Sequence, residues 1–290
     1  MIRILAILFA LLMSHASVAQ VIYHPRPEFA EDQRYTYFKA LLHKALQNSR
    51  DQFDHYELFE VQSRMQQKRQ LLSLEQGHIS VMWTMTSAQR EQEALAIRVP
   101  LMMGLMGYRL LVVNDADRQA IAQANEAKLK AMTSFQGHDW PDLEILKANG
   151  YNTKPFSFFL GLYKQLSLRK FDFYPRGILE AYREVEVGQY KNLSVDQSKL
   201  LYYPTAIYFF VAKDNTQLAA RIEVGLQAMV ESGDLEKFLI NYGTHKKDLA
   251  RAALNKRTLY TLRNPLLSEE TPINDARYWL TVDEIQALLK

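Results

Sequence analysis

Through the first ninety residues, short apolar runs alternate with amphipathic ones, and past Asn114 the alternation starts again. This constrains the chain more than any other feature. Strand–helix–strand units of this length close into parallel sheets with helices on their faces. In the first unit, residues 21–23, 56–61 and 79–84 read as strands. The first strand ends in His24-Pro25-Arg26-Pro27, where two prolines forbid further pairing. Asp32 opens a helix on which Tyr35, Phe38, Leu41, Leu42, Ala45 and Leu46 share a face. A second helix covers 63–76 and is stopped by Gly77. The second unit repeats the plan with a polar helix at 115–130, strands at 131–135, 151–154 and 171–174, and helices after Pro141, Ser157 and Gly177. Pro141 suits a first helical position, with Asp139 or Trp140 as the cap.

Two extended runs connect the units. Gly107-Tyr108-Arg109-Leu110-Leu111-Val112-Val113 leads out of the first, and residues 200–211 lead back, with Pro204 favouring an edge or a crossing position. An amphipathic helix at 215–232 follows, built on Leu218, Ile222, Leu226 and Met229. The tail, 244–290, holds a candidate strand at 258–262 and a last helix near Asp283.

The third strand carries the richest chemistry. Trp83, Thr84, Thr86, Ser87 and Arg90 gather at its carboxyl end. In open α/β sheets ligands bind outside the carboxyl ends of strands. An arginine grips a carboxylate through a planar fork, and hydroxyls complete the shell. Arg90 is therefore a ligand contact or a solvated charge at a helix start. Trp83 lines a cleft or fills a core. Tyr23 and His24 enter by position alone.

The amino terminus reads as a secretory leader. Arg3 precedes an apolar run, and Ser17-Val18-Ala19 offers a small-residue cleavage site. The rival reading, a retained anchor, needs a run of about 20 apolar residues, and this one is shorter. The expected division is leader 1–19, a first lobe of 20–107 with 208–290, and a second lobe of 108–207. The chain is expected in the periplasm. There is no cysteine, which excludes disulfides, thiol catalysis and lipid attachment at the cleavage site. Removing the leader takes one of the 35 basic residues, Arg3, and none of the 32 acidic ones. That near balance argues against nucleic acid and against a polybasic membrane patch.

The order of elements resembles the bacterial extracellular solute-binding proteins of family 3, the amino-acid-type receptors with the type II periplasmic binding fold. Four stretches carry the resemblance. Gly77-His78-Ile79-Ser80-Val81 is similar to the family's G-x-(I/V)-D strand. Thr86-Ser87-Ala88-Gln89-Arg90-Glu91 is similar to its T-x-x-R ligand turn. Leu168-Arg169-Lys170-Phe171-Asp172 is similar to its second-lobe strand. Phe209-Phe210-Val211-Ala212-Lys213, with the helix after it, is similar to the return strand and its helix. The resemblance covers most of 21–243 and leaves the tail as an addition.

The resemblance implies an α/β Venus flytrap of two lobes, each a mostly parallel sheet flanked by helices, closing on a small molecule. It would be a monomer without cofactor or metal. It would serve an ABC-type membrane permease or a membrane sensor. Arg90 would bind a ligand carboxylate, helped by Thr84 and Thr86. The turn Gly137-His138-Asp139, feeding a helix amino end, would add anion contacts. One departure stands out: after the second-lobe strand, Tyr174-Pro175-Arg176-Gly177 puts Arg176 where an acid normally takes the ligand's ammonium. Glu180 or Asp139 is the substitute, or the ligand is a dicarboxylate or another anion. Arg109 fixes the hinge or reaches the ligand.

Two other readings stay open. A lyase or dehydratase would draw its acid or base from His138, Asp139 and Glu180. An interaction module with a degenerate pocket would use the basic tail segment 246–257 as its contact surface.

Overall fold

The computed structural model describes residues 19–27, 33–157, 159–188 and 190–290. The leader, Asp32 as a helix start and Phe158 lie outside them. Among the described residues no helix is long and apolar enough to cross a membrane.

Twelve strands are described: β1 (Gln20–His24), β2 (Tyr56–Glu60), β3 (Val81–Met85), β4 (Leu95–Ile97), β5 (Tyr108–Asn114), β6 (Thr133–Gly137), β7 (Asn152–Phe156), β8 (Phe173–Gly177), β9 (Leu193–Val195), β10 (Lys199–Tyr202), β11 (Ile207–Val211) and β12 (Thr258–Thr261). In the first lobe β1 and β2 pair in parallel. β3 begins beside β1, where the Ser80 amide donates to the Tyr23 carbonyl at 2.7 Å. β11 then lies antiparallel between β3 and β4. The first lobe thus has two small sheets, β1-β2 and β3-β11-β4, and the second lobe one larger sheet, which we call the second sheet: β12-β10-β5-β8-β6-β7, with β9 on β5. β6 is parallel to β7 and β8, while β5 runs against β8 and β10.

Helices cover both faces of the first lobe's strands. Gln33–Asn48 and Thr216–Glu231 lie against each other, and Gly225 is what lets them meet. A Cβ built on Gly225 would fall 1.8 Å from the Ala45 carbonyl oxygen. The other face takes the helix Gln67–Glu75, whose Leu71 and Leu74 join Ile79, Met82, Tyr208 and Phe210 in a small second core. β3 is thus covered on both sides. Its alternation separates two buried faces rather than a wet and a dry one: Val81, Met82, Thr84 and Met85 are all buried. The main core is continuous from Ile22 and Leu41 to Leu110, Ile145 and Phe173, so one apolar cluster serves both lobes.

Three expectations need correction. The polar helix at 115–130 is broken into Arg118–Gln123 and Glu126–Ala131, because Asn125 caps a new start by accepting from the Lys128 amide. The return run at 200–211 is two strands, β10 in the second lobe's sheet and β11 in the three-stranded sheet of the first. Pro204 has no N–H to continue a ladder, and the chain changes sheets around it. The tail, expected on the first lobe, sends β12 into the second sheet beside β10.

Candidate functional site

The lobes enclose a crevice with a free volume of about 100 Å3. That is room for several waters or one compact solute. The first lobe lines it with Pro25 and Arg26 from the end of β1, Arg34, Tyr35 and Phe38 from the first turns of the following helix, and Trp83, Thr84 and Met85 from β3. The second lobe contributes Arg109 from β5, Trp140 and Asp142 from the start of the helix Pro141–Ala148, and Glu180 after β8. These are the carboxyl ends of β1, β3, β6 and β8, as an open α/β sheet requires. β5 runs antiparallel to β8, so it brings Arg109 to the crevice from its amino end.

Glu180 is the electrostatic centre. It is 3% exposed, and its carboxylate meets Arg34 at 2.6 Å, Arg176 at 3.0 Å and Arg109 at 3.8 Å. The Gly177 amide donates to it at 2.9 Å. Burial alone would raise its pKa. Arg176, Arg34 and Arg109 outweigh that and hold it down at about 2, so it stays ionised across the physiological range.

Arg109, 2% exposed, approaches Asp142 at 2.7 Å and lies 5.4 Å from the Tyr203 ring centre. The Tyr203 hydroxyl donates to the same Asp142 oxygen. The Arg109 Nε is buried without a hydrogen-bond partner among the described residues. Arg176 lies between the Trp140 and Tyr174 rings, 5.0 and 5.1 Å from their centres, and its fork holds Glu184 at 2.6 and 2.7 Å. Its pairing with Glu180, which the sequence also allows at the surface, is therefore a buried one.

Arg90 sits on the short helix Ala88–Glu93, capped by the Ser87 hydroxyl. It is buried, and its guanidinium donates to the Thr84 hydroxyl at 2.5 Å and the Met85 carbonyl at 2.8 Å. A third bond, 2.9 Å long, crosses to the Asp139 carbonyl of the other lobe. Burial lowers its pKa, partly countered by Asp139 and Asp142.

Of the residues singled out from sequence, Trp83 and Thr84 line the crevice. Arg90 and Arg176 lie behind its wall, each bonded to a residue that does. His138 and Asp139 flank a separate, smaller hollow with Gln66 and Phe156; His138 is exposed. Thr86 is not brought in, since its hydroxyl donates to Glu91 at 2.5 Å. Tyr23 faces away, 44% exposed against Phe59, while His24 is the inward neighbour.

Sequence reasoning missed Arg34, Tyr35 and Asp142. A signal existed for the first two: they begin the helix that follows β1, so they sit at a strand's carboxyl end like Trp83. The ring of Trp83 packs 5.5 Å from that of Tyr35 and 5.8 Å from that of Phe38. Among the described residues no group of three or more His, Cys, Asp or Glu side chains is placed to hold a metal ion.

No protein-family model matches the chain, and no curated protein matches it. Solved structures do. An ancestral arginine-binding protein bound to arginine superposes with a TM-score of 0.57 at 15% identity, over 77% of this chain and 99% of its own. An extracellular-binding protein of a probable amino-acid ABC transporter, ytmK from Bacillus subtilis, gives 0.56 at 16% identity, over 78% and 99%. A histidine kinase sensor domain with similarity to periplasmic binding proteins gives 0.53 at 14% identity, over 76% and 93%. The chain has the two-lobed type II periplasmic binding fold that these share.

Proposed function

We propose that this protein is a non-enzymatic, exported solute-binding protein that captures a compact anionic or amino-acid-like molecule between its lobes. The observation that carries the reading is Arg109, buried at the wall of the crevice with its Nε unpartnered. A buried guanidinium N–H without an acceptor is costly unless something supplies one. A ligand carboxylate would do so, with Tyr35, Trp83 and Trp140 flanking its apolar part. The carboxylates near it are engaged: Glu180 by arginines, Asp142 by Arg109 and Tyr203. That favours an anion over a cation.

The similar structures include an arginine-binding protein, an extracellular-binding protein of a probable amino-acid ABC transporter and a sensor domain, which supports delivery to a membrane permease or sensor. Fold alone does not choose between uptake and sensing. Turnover is disfavoured because Glu180, held ionised by three arginines, is a poor proton donor and a weak base alike, and His138 is outside the crevice.

The test is a thermal-shift screen of the chain from Gln20 onward against amino acids, dicarboxylates, sugars and polyamines, repeated on Arg109→Met. A ligand at 100 times its dissociation constant stabilises by about 2.7 kcal/mol, a shift of a few degrees at this size. The expected result is a shift with one carboxylate class that is lost in the variant. A shift with polyamines only, or one unchanged by the variant, overturns the site; no shift with any compound overturns the receptor reading. A second reading, a partner-binding module with a closed pocket, has one observation in its favour: Arg34 and Glu180 already join the lobes without a ligand.

A further inference from the structure

We infer that residues 258–280 form a strap that crosses the hinge and fixes the angle between the lobes. Its course is legible bond by bond. β12 runs along β10 in parallel register, Lys199 to Thr258 through Tyr202 to Thr261. The Leu262 amide donates to the Tyr202 carbonyl at 2.7 Å. Asn149 then holds both backbone groups of Arg263, at 2.7 and 2.9 Å. So far the strap belongs to the second lobe.

One residue on, the Asn264 side-chain amide donates to the Pro204 carbonyl at 2.9 Å, inside the segment where the chain changes sheets. By Leu266 the strap has reached the first lobe, where the Ala88 amide donates to its carbonyl at 2.8 Å. Glu270 pairs with Arg98 at 2.6 Å. The chain then turns back onto the other crossing segment. The Leu280 amide donates to the Met103 carbonyl at 2.9 Å, and the Tyr108 hydroxyl to the Leu280 carbonyl at 3.2 Å. The Trp279 ring lies on Gly104, where an added Cβ would fall 2.6 Å from it. Leu262, Tyr278 and Leu280 are buried, so apolar contact backs the hydrogen bonds.

Lobe rotation in such folds needs φ/ψ changes in the few residues of the crossing segments. Here both segments, 103–108 and 203–206, are bonded to the strap, and their two ends are bonded to opposite lobes through it. No residue after Ile207 lines the crevice, so the strap acts from outside the site. It also holds Ala88, the first residue of the short helix that carries Arg90 to Asp139. Opening the lobes therefore means breaking strap contacts, and the strap confines the pair to a narrow range of angles.

The absence of cysteine makes the test clean. Lys68→Cys and Glu144→Cys put one exposed spin label on each lobe, and pulsed dipolar spectroscopy reads the distance between them without any ligand. The expected result is a single narrow distribution in the otherwise native chain, broadened toward longer distances by Asn264→Ala with Trp279→Ala. A broad or two-peaked distribution in the native chain overturns the strap, and so does one that the double substitution leaves unchanged. If the double variant does not fold, amide exchange on the unaltered chain decides. Residues 103–108 and 203–206 should exchange as slowly as β11, and fast exchange there overturns the inference.

Discussion

Arg34 and Glu180 meet at 2.6 Å across the crevice, one on the first helix of the first lobe and the other just after β8 in the second. Glu180 keeps Arg176 and Arg109 when Arg34 is removed; the reverse does not hold, since Glu180 is the one carboxylate that Arg34, Arg109 and Arg176 share. The two ends of this pair should therefore respond differently. Glu180→Gln leaves buried guanidinium groups without their shared carboxylate. The expected loss is about 3–5 kcal/mol, read as a drop in the urea midpoint. Arg34→Gln, at the wetter end, should cost about 1 kcal/mol or less. Equal losses would show that the network does not centre on Glu180.

Arg90→Ala separates a structural arginine from a ligand-holding one. Its three acceptors are protein atoms. The substitution should lower stability by roughly 2–4 kcal/mol, because hydrogen bonds to a charged group are worth about 1.5–3 kcal/mol each and water replaces only some of them. Affinity for any ligand found should fall less than in Arg109→Met. Paired calorimetric titrations of the two variants check the order.

Gly225→Ala should be among the most damaging single changes in the first lobe. The new methyl would meet the Ala45 carbonyl, so the two long helices must separate. Overpacking of this kind costs about 1–3 kcal/mol and sometimes more. Ala is the better helix former, so a neutral or stabilising result in thermal unfolding would mean that the helices do not touch there.

Acidification should act in two stages. His24 and His245 are held below the ordinary histidine pKa by burial, so the unfolded chain takes up their protons first. Stability should begin to fall below about pH 6.5. Glu180 acts later: its folded pKa of about 2 lies below its unfolded value. Its contribution is fully present above about pH 4.5 and is lost as pH falls toward 2, on the order of 3 kcal/mol. Urea titrations at pH 7.5, 5.5 and 3.5 should give successively lower midpoints. A flat profile from 7.5 to 5.5 would remove the histidines from the argument.

The fold was legible because period and punctuation are local properties. The βαβαβ order, the crossing at Gly107-Tyr108 and the break near Pro204 follow from residue type. Gly107 shows why: a Cβ there would fall 2.3 Å from the Tyr203 carbonyl oxygen, so the close approach of the two crossing segments at that point requires a glycine. The site was less legible. Alternation along β1 says that Tyr23 and His24 face opposite ways but not which way is in; His24 is buried and Tyr23 is exposed. Nothing local marks the pairing of Arg34, because its partner lies 146 residues away. Arg176 stands out in the sequence as a departure from the resembled pattern, but only the packing of Trp140 and Tyr174 around it shows that it is buried. Thr86 has the ligand turn's spacing, yet its hydroxyl is turned to Glu91 by the helix that Ser87 caps.

The chain has three tryptophans. Trp83 and Trp140 line the crevice from opposite lobes, and Trp279 lies on the hinge glycine Gly104. The tryptophan emission of the unlabelled protein, excited to the red of tyrosine absorption, therefore comes only from places where a solute arrives or the backbone turns. Its wavelength and intensity are a built-in optical gauge of occupancy and of the angle between the lobes.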